Sequence, residues 1–574
     1  MAKGKPKVVD DISNNERCTM NPWYWCLYNE IRLQAGVFAH VGHEYLAEVM
    51  RDLHPNQVDV KGSQMGFTEA AALKTIHSMI HGRLPQGTLY LFPTADDVSD
   101  FSKARFNSLI DHNPEHIGRF VRSTDATNIK RVGSAMLYLR GARATQRVEG
   151  LMKTSSKLKS VPVDRIVYDE FDEMDQAMIP MARERFAHSS IQEEHKLSTP
   201  TVPGYGIDAA YKASDQHVWS IRCGHCRTET VMELEFPKCL QRRKDGTVYR
   251  ACVKCGKEIF PVDGRWVAQS PAVKDCRGRW MSQLSSRYVD LTALLTEYER
   301  LGELSPGERQ VFYNSKLARA YVDAANRLTP QDIARCQGQD LMETRHNGPT
   351  AMGVDVGNVL HVVIGYRPGP GQVKIAFVGR VKEWAEVHDI ARRFNVQAAV
   401  IDQRPELHKA REFQKAERYE VFLAFYVDSQ RGDARWDLEN GIVTMNRTEC
   451  LDRVHTAVMT PGRFEVPRIN AELEQFATEM TNVVKVLVEK VDGSQVYEYK
   501  EVGPDHYRHA CAYMLLASSR IAMAVATGRP WWDAAQPPGQ AAGWDPLGAE
   551  RRPLVVGNPL YGGQAAADYN PFGG

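Results

Sequence analysis

Between Val58 and Glu69 the chain reads Val-Asp-Val-Lys-Gly-Ser-Gln-Met-Gly-Phe-Thr-Glu: a short apolar run, a glycine-containing loop and the start of a segment rich in helix formers. That order implies a strand, a tight loop and a helix whose first turn can present backbone N–H groups to phosphate. An ordinary phosphate-binding loop has the pattern G-x-x-x-x-G-K-[ST]. Here Gly66 and Thr68 hold the places of the second glycine and the hydroxyl residue, Phe67 stands at the lysine position, and Lys61 replaces the first glycine. The loop is Lys61, Gly62, Ser63, Gln64, Met65, Gly66, Phe67 and Thr68, with its cation moved to the start. A lysine can reach the β- and γ-phosphates from either end of so tight a loop. The Thr68 hydroxyl is placed to ligate Mg²⁺.

About 100 residues later, Arg165–Glu170 is an apolar run ending in two carboxylates. Asp169 at such a strand end would hold Mg²⁺ through water, and Glu170 would orient and deprotonate an attacking water. Taken singly, the first segment also reads as a glycine turn and the second as a solvated strand end. Both in order on one chain point to an ATPase.

Gly87–Thr94 and Ala135–Gly141 read as further buried strands, and a helix begins near Ala95. Strands alternating with helices predict an α/β fold with a parallel sheet covered on both faces. The 574 residues suggest roughly three to four domains. A net charge of +1 announces no global affinity for nucleic acid, so any DNA contact must come from local patches. No apolar run reaches the ~18 residues of a membrane span, and no apolar core follows the basic N-terminus as in a secretory signal. Eleven cysteines in a chain this long favour a reducing compartment, with metal-bound or free thiols.

Four of those cysteines form two knuckles, Cys223-x₂-Cys226 and Cys252-x₂-Cys255, separated by 25 residues. This is the spacing of a zinc ribbon, and a closed four-thiolate site is structural because it leaves no open position. The intervening segment is strand-like and basic, which suits a ribbon facing nucleic acid. Unmetallated thiols are the plain alternative. His225, inside the first knuckle, is not needed as a ligand.

A second α/β unit begins with Ala351–Gly357. Asp355 lies in its first strand, Asp402 ends another apolar run, and Asp505 precedes a helix. Three such carboxylates can converge at the edge of an RNase H-like sheet and bind two divalent ions for phosphodiester cleavage. Spacing alone is weak support, since many strands end in Asp. Asp428 is an additional acid, whereas Glu406 and Asp452 read as surface charges.

These stretches, together with Leu197-Ser198-Thr199-Pro200-Thr201, resemble the large terminase subunit of lambda-like (GpA-type) bacteriophages over about residues 40–520. The resemblance implies an N-terminal P-loop ASCE ATPase with an inserted zinc ribbon and a C-terminal RNase H-like nuclease domain, and the Gly-, Pro- and Ala-rich residues 527–574 read as a flexible tail. It places an N-terminal segment at 1–35, with Trp23-Tyr24-Trp25 in a loop-like setting, as a small-subunit contact. The ATPase would span 36–336 with the ribbon at 220–268, a linker 337–350, the nuclease 351–526 and the tail 527–574, a portal contact. The implied activity is ATP-driven translocation of double-stranded DNA into a procapsid and metal-dependent cutting of concatemers. ATP, Mg²⁺ (or Mn²⁺ at the nuclease) and Zn²⁺ are the implied cofactors. The small terminase subunit, the portal protein and other copies in a ring are the implied partners, and the host cytoplasm the place of action.

Carried over by residue, Lys61 and Thr68 bind phosphate and Mg²⁺, Asp169 holds Mg²⁺, Glu170 is the base, and Ser198-Thr199-Pro200 is the coupling motif. Arg143 is the candidate arginine at the ATP site, with Arg147, Lys153, Lys157 and Lys159 competing. His43 or Tyr45 is the candidate adenine contact. Two rivals stand beside this reading: a helicase-like repair ATPase with a nuclease domain, and a non-catalytic, zinc-dependent DNA-binding assembly protein.

Overall fold

The computed structural model describes residues 13–142, 147–148, 151–152, 161–323, 326–489 and 495–527. They fall into two units, one drawn from Met1–Leu328 and Thr481–Pro504, the other from Thr329–Met480 and Asp505–Gly574.

The first unit opens with helices α1 (Asn14–Met20) and α2 (Pro22–Tyr28). The Trp23-Tyr24-Trp25 cluster is therefore helical rather than loop-like. Asn21 Oδ1 accepts from Tyr24 N–H at 3.1 Å and Pro22 occupies the first helical position, so the chain is capped into the helix and Trp23 and Trp25 enter the core. After α3 (Leu46–Arg51) come β1 (Asn56–Lys61), α4 (Phe67–Ile80), β2 (Thr88–Phe92) and α5 (Ala95–Asp100). The sheet continues with β3 (Val121–Ala126), β4 (Ile129–Val132), β5 (Ala135–Gly141), β6 (Arg165–Asp169), β7 (Glu193–Ser198) and β8 (His217–Arg222). Next are β9 (Glu229–Val231), β10 (Leu240–Arg242), β11 (Val248–Arg250), β12 (Gly264–Ala268) and β13 (Arg277–Met281).

Eleven of these strands form one sheet in the order β9-β8-β13-β1-β7-β6-β2-β5-β4-β3, with β12 paired to β8. From β8 to β5 neighbouring strands along this order run parallel, and the outer pairs are antiparallel. Parallel neighbours bury both faces, which explains why β1, β2 and β6 are nearly continuously buried. The loop after β1 and the end of β6 lie at the same edge, because β7 pairs in parallel with both strands. The cysteine knuckles flank the small β10–β11 hairpin, and β8 and β12 run from them into the main sheet. Beyond β13, α6 (Leu291–Glu299) and shorter helical stretches continue to Lys316.

The second unit carries an eight-stranded sheet. Its strands are β14 (Thr350–Asp355), β15 (Leu360–Tyr366), β16 (Val373–Val381), β17 (Val396–Asp402), β18 (Glu420–Tyr426), β19 (Arg435–Asp437), β20 (Ile442–Met445) and β21 (Phe464–Glu465). The order is β19-β20-β18-β17-β14-β15-β16-β21; β14, β15 and β16 form an antiparallel meander, and β17 and β18 add in parallel on the other side of β14. Helices α7 (Trp384–Arg393), α8 (Leu407–Ala416), α9 (Arg447–Met459), α10 (Ala471–Met480) and α11 (His506–Thr527) complete it. α11 packs directly on β14 at Gly353. A β-carbon there would collide with the helix backbone at Ala510 and Met514 and lie 2.9 Å from the Tyr513 carbonyl carbon.

The chain divides earlier than the expected 336/337 boundary. Thr329 caps the helix Pro330–Arg335, which already belongs to the second unit. The expected linker 337–350 is held along that unit, with Glu343 N–H donating to Ala376 O at 3.0 Å and His346 N–H to Arg393 O at 3.0 Å. Within the expected 351–526 domain, the antiparallel hairpin Val483–Glu489/Gln495–Glu501 belongs instead to the first unit. Its Val484, Val486 and Val488 pack with Val202, and Lys500 Nζ donates to Asp172 O at 3.0 Å. The expected tail beyond residue 527 lies outside the described residues, as do residues 1–12 of the expected N-terminal contact segment. Among the described residues no helix is long and apolar enough to cross a membrane.

Candidate functional site

The loop after β1 is shaped by two left-handed residues, Gln64 (φ 60°) and Gly66 (φ 78°). A β-carbon on Gly66 would lie 3.0 Å from Leu46 Cδ1, so glycine suits both the torsion and the space. Phe67, at the usual lysine position, is 1% exposed and stacks on Tyr45 with centroids 6.1 Å apart. A side chain there points into the core, which is why the cation has to come from elsewhere. Tyr45 itself is buried and its hydroxyl donates to Met65 O at 3.0 Å. It braces the loop and has no face free for adenine. The N–H groups of Gly62 and Ser63 are engaged by Met281 O and Ser315 O, both at 2.8 Å. The amides from Gln64 to Thr68 remain the candidate phosphate donors of the loop.

Lys61, at the end of β1, extends to Glu170, with Nζ 2.7 Å from Oε1. Burial works against the ammonium, but the Glu170 and Asp169 carboxylates prevail and raise its pKa. Asp169 accepts from the Thr68 hydroxyl at 3.1 Å and from the Tyr90 hydroxyl at 3.1 Å. Burial pushes its carboxyl up to about 6, against the pull of Lys61. Glu170 adopts a left-handed backbone (φ 58°), which turns its side chain away from the strand alternation. Its Oε2 lies 3.4 Å from both Ser198 Oγ and Thr199 N. The structure thus brings together Lys61, Thr68, Asp169, Glu170 and Ser198.

Three neighbours escape sequence reading. Asp172 accepts from Thr201 N–H and hydroxyl at 2.7 Å each, and from Ile207 N–H at 2.6 Å. It ties the segment after Glu170 to the Ser198–Thr201 turn. Tyr90 holds Asp169, and Arg105 pairs with Glu69, one residue beyond Thr68. Arg143, Lys153, Lys157 and Lys159 lie outside the described residues, as does the side chain of Arg147.

The thiols of Cys223, Cys226, Cys252 and Cys255 lie within 4.8 Å of one another. The sulfur pairs Cys223–Cys255 and Cys226–Cys252 are 3.7 and 3.5 Å apart. A tetrahedral Zn–S₄ site with bonds near 2.3 Å has edges of about 3.8 Å, so this donor set fits zinc. Hydrogen bonds from Thr228 lower the Cys226 thiol to about 6, toward the thiolate a metal requires.

In the second unit, the parallel register of Val354 with Ile401 places Asp355 and Asp402 at adjacent strand ends. Burial, and then the charge of Asp355, push the Asp402 carboxyl up to about 6. Asp402 Oδ1 accepts from Arg404 N–H at 3.0 Å, and its Oδ2 lies 3.3 Å from the Tyr513 hydroxyl. His506 Nδ1 lies 2.9 Å from Asp355 Oδ2, and that hydrogen bond raises the imidazole to about 9. His361 stacks on His506 at 4.6 Å. Asp355, His361 and His506 offer ligand atoms within 4.8 Å of one another. Neither histidine was among the sequence candidates; the adjacency of His506 to Asp505 was the available signal. Asp505 is not in that group. It faces His509 Nε2 at 3.3 Å and Arg447 at 3.6 Å; burial opposes its charge, yet these partners hold its pKa below the usual range. Asp428 is exposed.

Residues 34–280 match the family described as phage terminase large subunit gpA, ATPase domain. Comparison with curated proteins gives no match. Among solved structures, the chain is similar to the large terminase of bacteriophage HK97 at 11% identity and a TM-score of 0.47, covering 85% of this chain and 98% of that one. The large terminase of a thermophilic bacteriophage in complex with ATP-gamma-S matches at 11% identity and a TM-score of 0.28, over 80% and 93% of the two chains. The large terminase nuclease of the thermophilic phage G20c with bound magnesium matches at 13% identity and a TM-score of 0.21, over 33% of this chain and 97% of that one.

Proposed function

We propose that this chain, whose residues 34–280 match the ATPase domain of the phage terminase large subunit gpA, is an ATP-driven motor that packages double-stranded DNA and cuts it with a metal-dependent nuclease. The observation that carries the motor half is the joining of Lys61, Thr68, Asp169, Glu170 and Ser198 at one sheet edge. In this reading Lys61 changes partners. Without nucleotide it is paired to Glu170; with ATP it neutralises the β- and γ-phosphates and frees Glu170 to orient and deprotonate water. Thr68 and Asp169 would hold Mg²⁺, which would neutralise charge on the phosphates. Ser198 and Thr199, both beside Glu170 Oε2, would report the change, and Asp172 would pass it through Thr201 to the following turn.

The strand order of the second sheet, a three-stranded antiparallel meander followed by parallel strands, supports an RNase H-like nuclease. Asp355 and Asp402 at adjacent strand ends repel each other, and bound divalent cations would relieve that repulsion while activating water and stabilising the leaving oxygen. His361 and His506 are additional candidate ligands on Asp355. Asp505 stays a candidate carboxylate one residue before His506. The domain reading retains an N-terminal small-subunit segment, a C-terminal portal segment and Arg143 as the arginine at the ATP site.

The four cysteines are read as one structural zinc site. Purified protein is expected to carry close to one zinc per chain, and Cys252→Ser to remove it. Elemental analysis finding far less zinc in wild type would defeat the assignment.

The test of the whole function is packaging. Wild type with small subunit, portal-bearing procapsids, linear duplex and ATP is expected to yield nuclease-protected DNA, and none with a non-hydrolysable analogue. Absence of protected DNA together with unwinding of a forked duplex would favour the helicase-like alternative. Absence of any ATP turnover would favour the non-catalytic assembly protein.

A further inference from the structure

The stretch that leaves β13 runs along the phosphate-binding loop. Met281 O accepts from Gly62 N–H at 2.8 Å, and Gln283 Nε2 donates to Ser63 O at 3.0 Å. The same stretch is gripped from the four-cysteine module. Glu233, 1% exposed, accepts from Ser282 N–H at 2.9 Å and from its hydroxyl at 2.8 Å. Arg250, two residues before Cys252, donates to Leu284 O at 2.5 Å and also to Ser286 O. Two charged side chains from the module thus fix a segment that has no regular structure of its own beyond the short turn Gln283–Ser285.

That fixed segment ends in Arg287 and Tyr288, both turned outward. Tyr288 is 68% exposed, the second most exposed of the large apolar side chains among the described residues. Its ring lies 5.6 Å from His43, and the Arg287 guanidinium is 5.7 Å from the Tyr288 centroid. His43 in turn borders the loop: a β-carbon on Gly66 would be 3.7 Å from His43 Cδ2. Gly42 lets the wall close, since a β-carbon there would meet Arg287 Cγ at 3.0 Å and the Tyr288 hydroxyl at 3.1 Å. The ring is exposed, while the backbone leading to it is held by Glu233 and Arg250. The wall stands beside the candidate phosphate donors of the loop and presents an aromatic face and a cation, the chemistry that receives a heterocyclic base.

We propose that His43, Arg287 and Tyr288 form the base-binding wall of the nucleotide site, with Tyr288 as the stacking residue and Glu233 and Arg250 as positioning residues that hold it. This rests on the reading of residues 61–68 as a phosphate site. It assigns the four-cysteine module a part in nucleotide recognition.

The test separates base from phosphate. A fluorescent methylanthraniloyl-ATP is bound to the full chain and displaced by ATP or by inorganic tripolyphosphate. ATP is expected to displace it at least about tenfold better than tripolyphosphate on wild type. Tyr288→Ala is expected to cut that advantage at least about fivefold, because loss of a stacking ring costs of this order, while leaving the tripolyphosphate constant unchanged. Tyr288→Trp should keep the advantage. An ATP advantage unchanged in Tyr288→Ala, or ATP no better than tripolyphosphate on wild type, overturns the wall and leaves the phosphate site standing. If Lys61→Ala alters neither competitor's constant, the phosphate site itself is wrong and the wall falls with it.

Discussion

Glu170→Gln is expected to lower ATP turnover by about 10²–10⁴-fold, the usual worth of a positioned general base, while nucleotide still binds. Glutamine keeps the shape of the side chain but cannot take a proton from water. The left-handed backbone at residue 170 (φ 58°) aims the group off the strand toward the loop, and the same geometry will aim the amide. What changes besides the base is the partner of Lys61, whose ammonium is 2.7 Å from the carboxylate. With Glu170 neutralised, Lys61 keeps only the charge of Asp169 of the two that act on it and is released more readily to phosphate. Nucleotide affinity should therefore hold or rise, a result a merely misfolded variant would not give. Lys61→Ala should do the opposite and weaken binding itself. Turnover by Glu170→Gln within about threefold of wild type would remove Glu170 as the base.

The parts of this site that sequence shows are those bound to backbone period and short spacing. Lys61, Thr68, Asp169 and Glu170 sit at the ends of β1, α4 and β6, and an apolar run that stops at a polar residue announces such ends. The knuckles of Cys223, Cys226, Cys252 and Cys255 are legible for the same reason. What stayed hidden depends on packing between distant segments. Tyr90 reads as one more apolar strand residue, and only the parallel pairing of β2 with β6 reveals its hydroxyl on Asp169. Asp172 looks like a third surface acid after a pair of them until Thr201 and Ile207 are seen to donate to it. Tyr45 has the composition of a base contact, but its ring is buried beneath the loop. The hairpin at 483–501 has a clear strand pattern, yet nothing in that pattern says it packs with Val202 rather than with the sheet flanking it in sequence. The carboxylate set was legible in part. Strand-end position selects Asp355 and Asp402, whereas the i, i+4 pairing of Asp505 with His509 on α11, and the reach of His506 to Asp355, are facts of side-chain direction.

Asp355→Ala is expected to reduce Mn²⁺-dependent cutting of plasmid by at least about 100-fold while ATP turnover stays within about twofold of wild type. The residue ends a strand whose every position is buried, and it is itself 6% exposed. It is also the charge that, after burial, most raises Asp402, so a divalent cation held at these carboxylates would relieve a conflict already present in the fold. Removing Asp355 takes away that conflict and the anchor for the cation together. The variant also loses the Asp355–His506 pair, and thermal unfolding with and without Mn²⁺ reads the loss of the anchor apart from it: wild type should gain stability from the ion, and Asp355→Ala should not. The histidines sharpen the expectation. Imidazole ligands favour Mn²⁺ over Mg²⁺, so if His361 and His506 take part, His506→Ala should narrow the Mn²⁺ preference rather than abolish cutting. Cutting by Asp355→Ala at the wild-type rate would show that the strand-end carboxylates of the second unit are structural, and the nuclease half of the function would then have to be sought elsewhere on the chain.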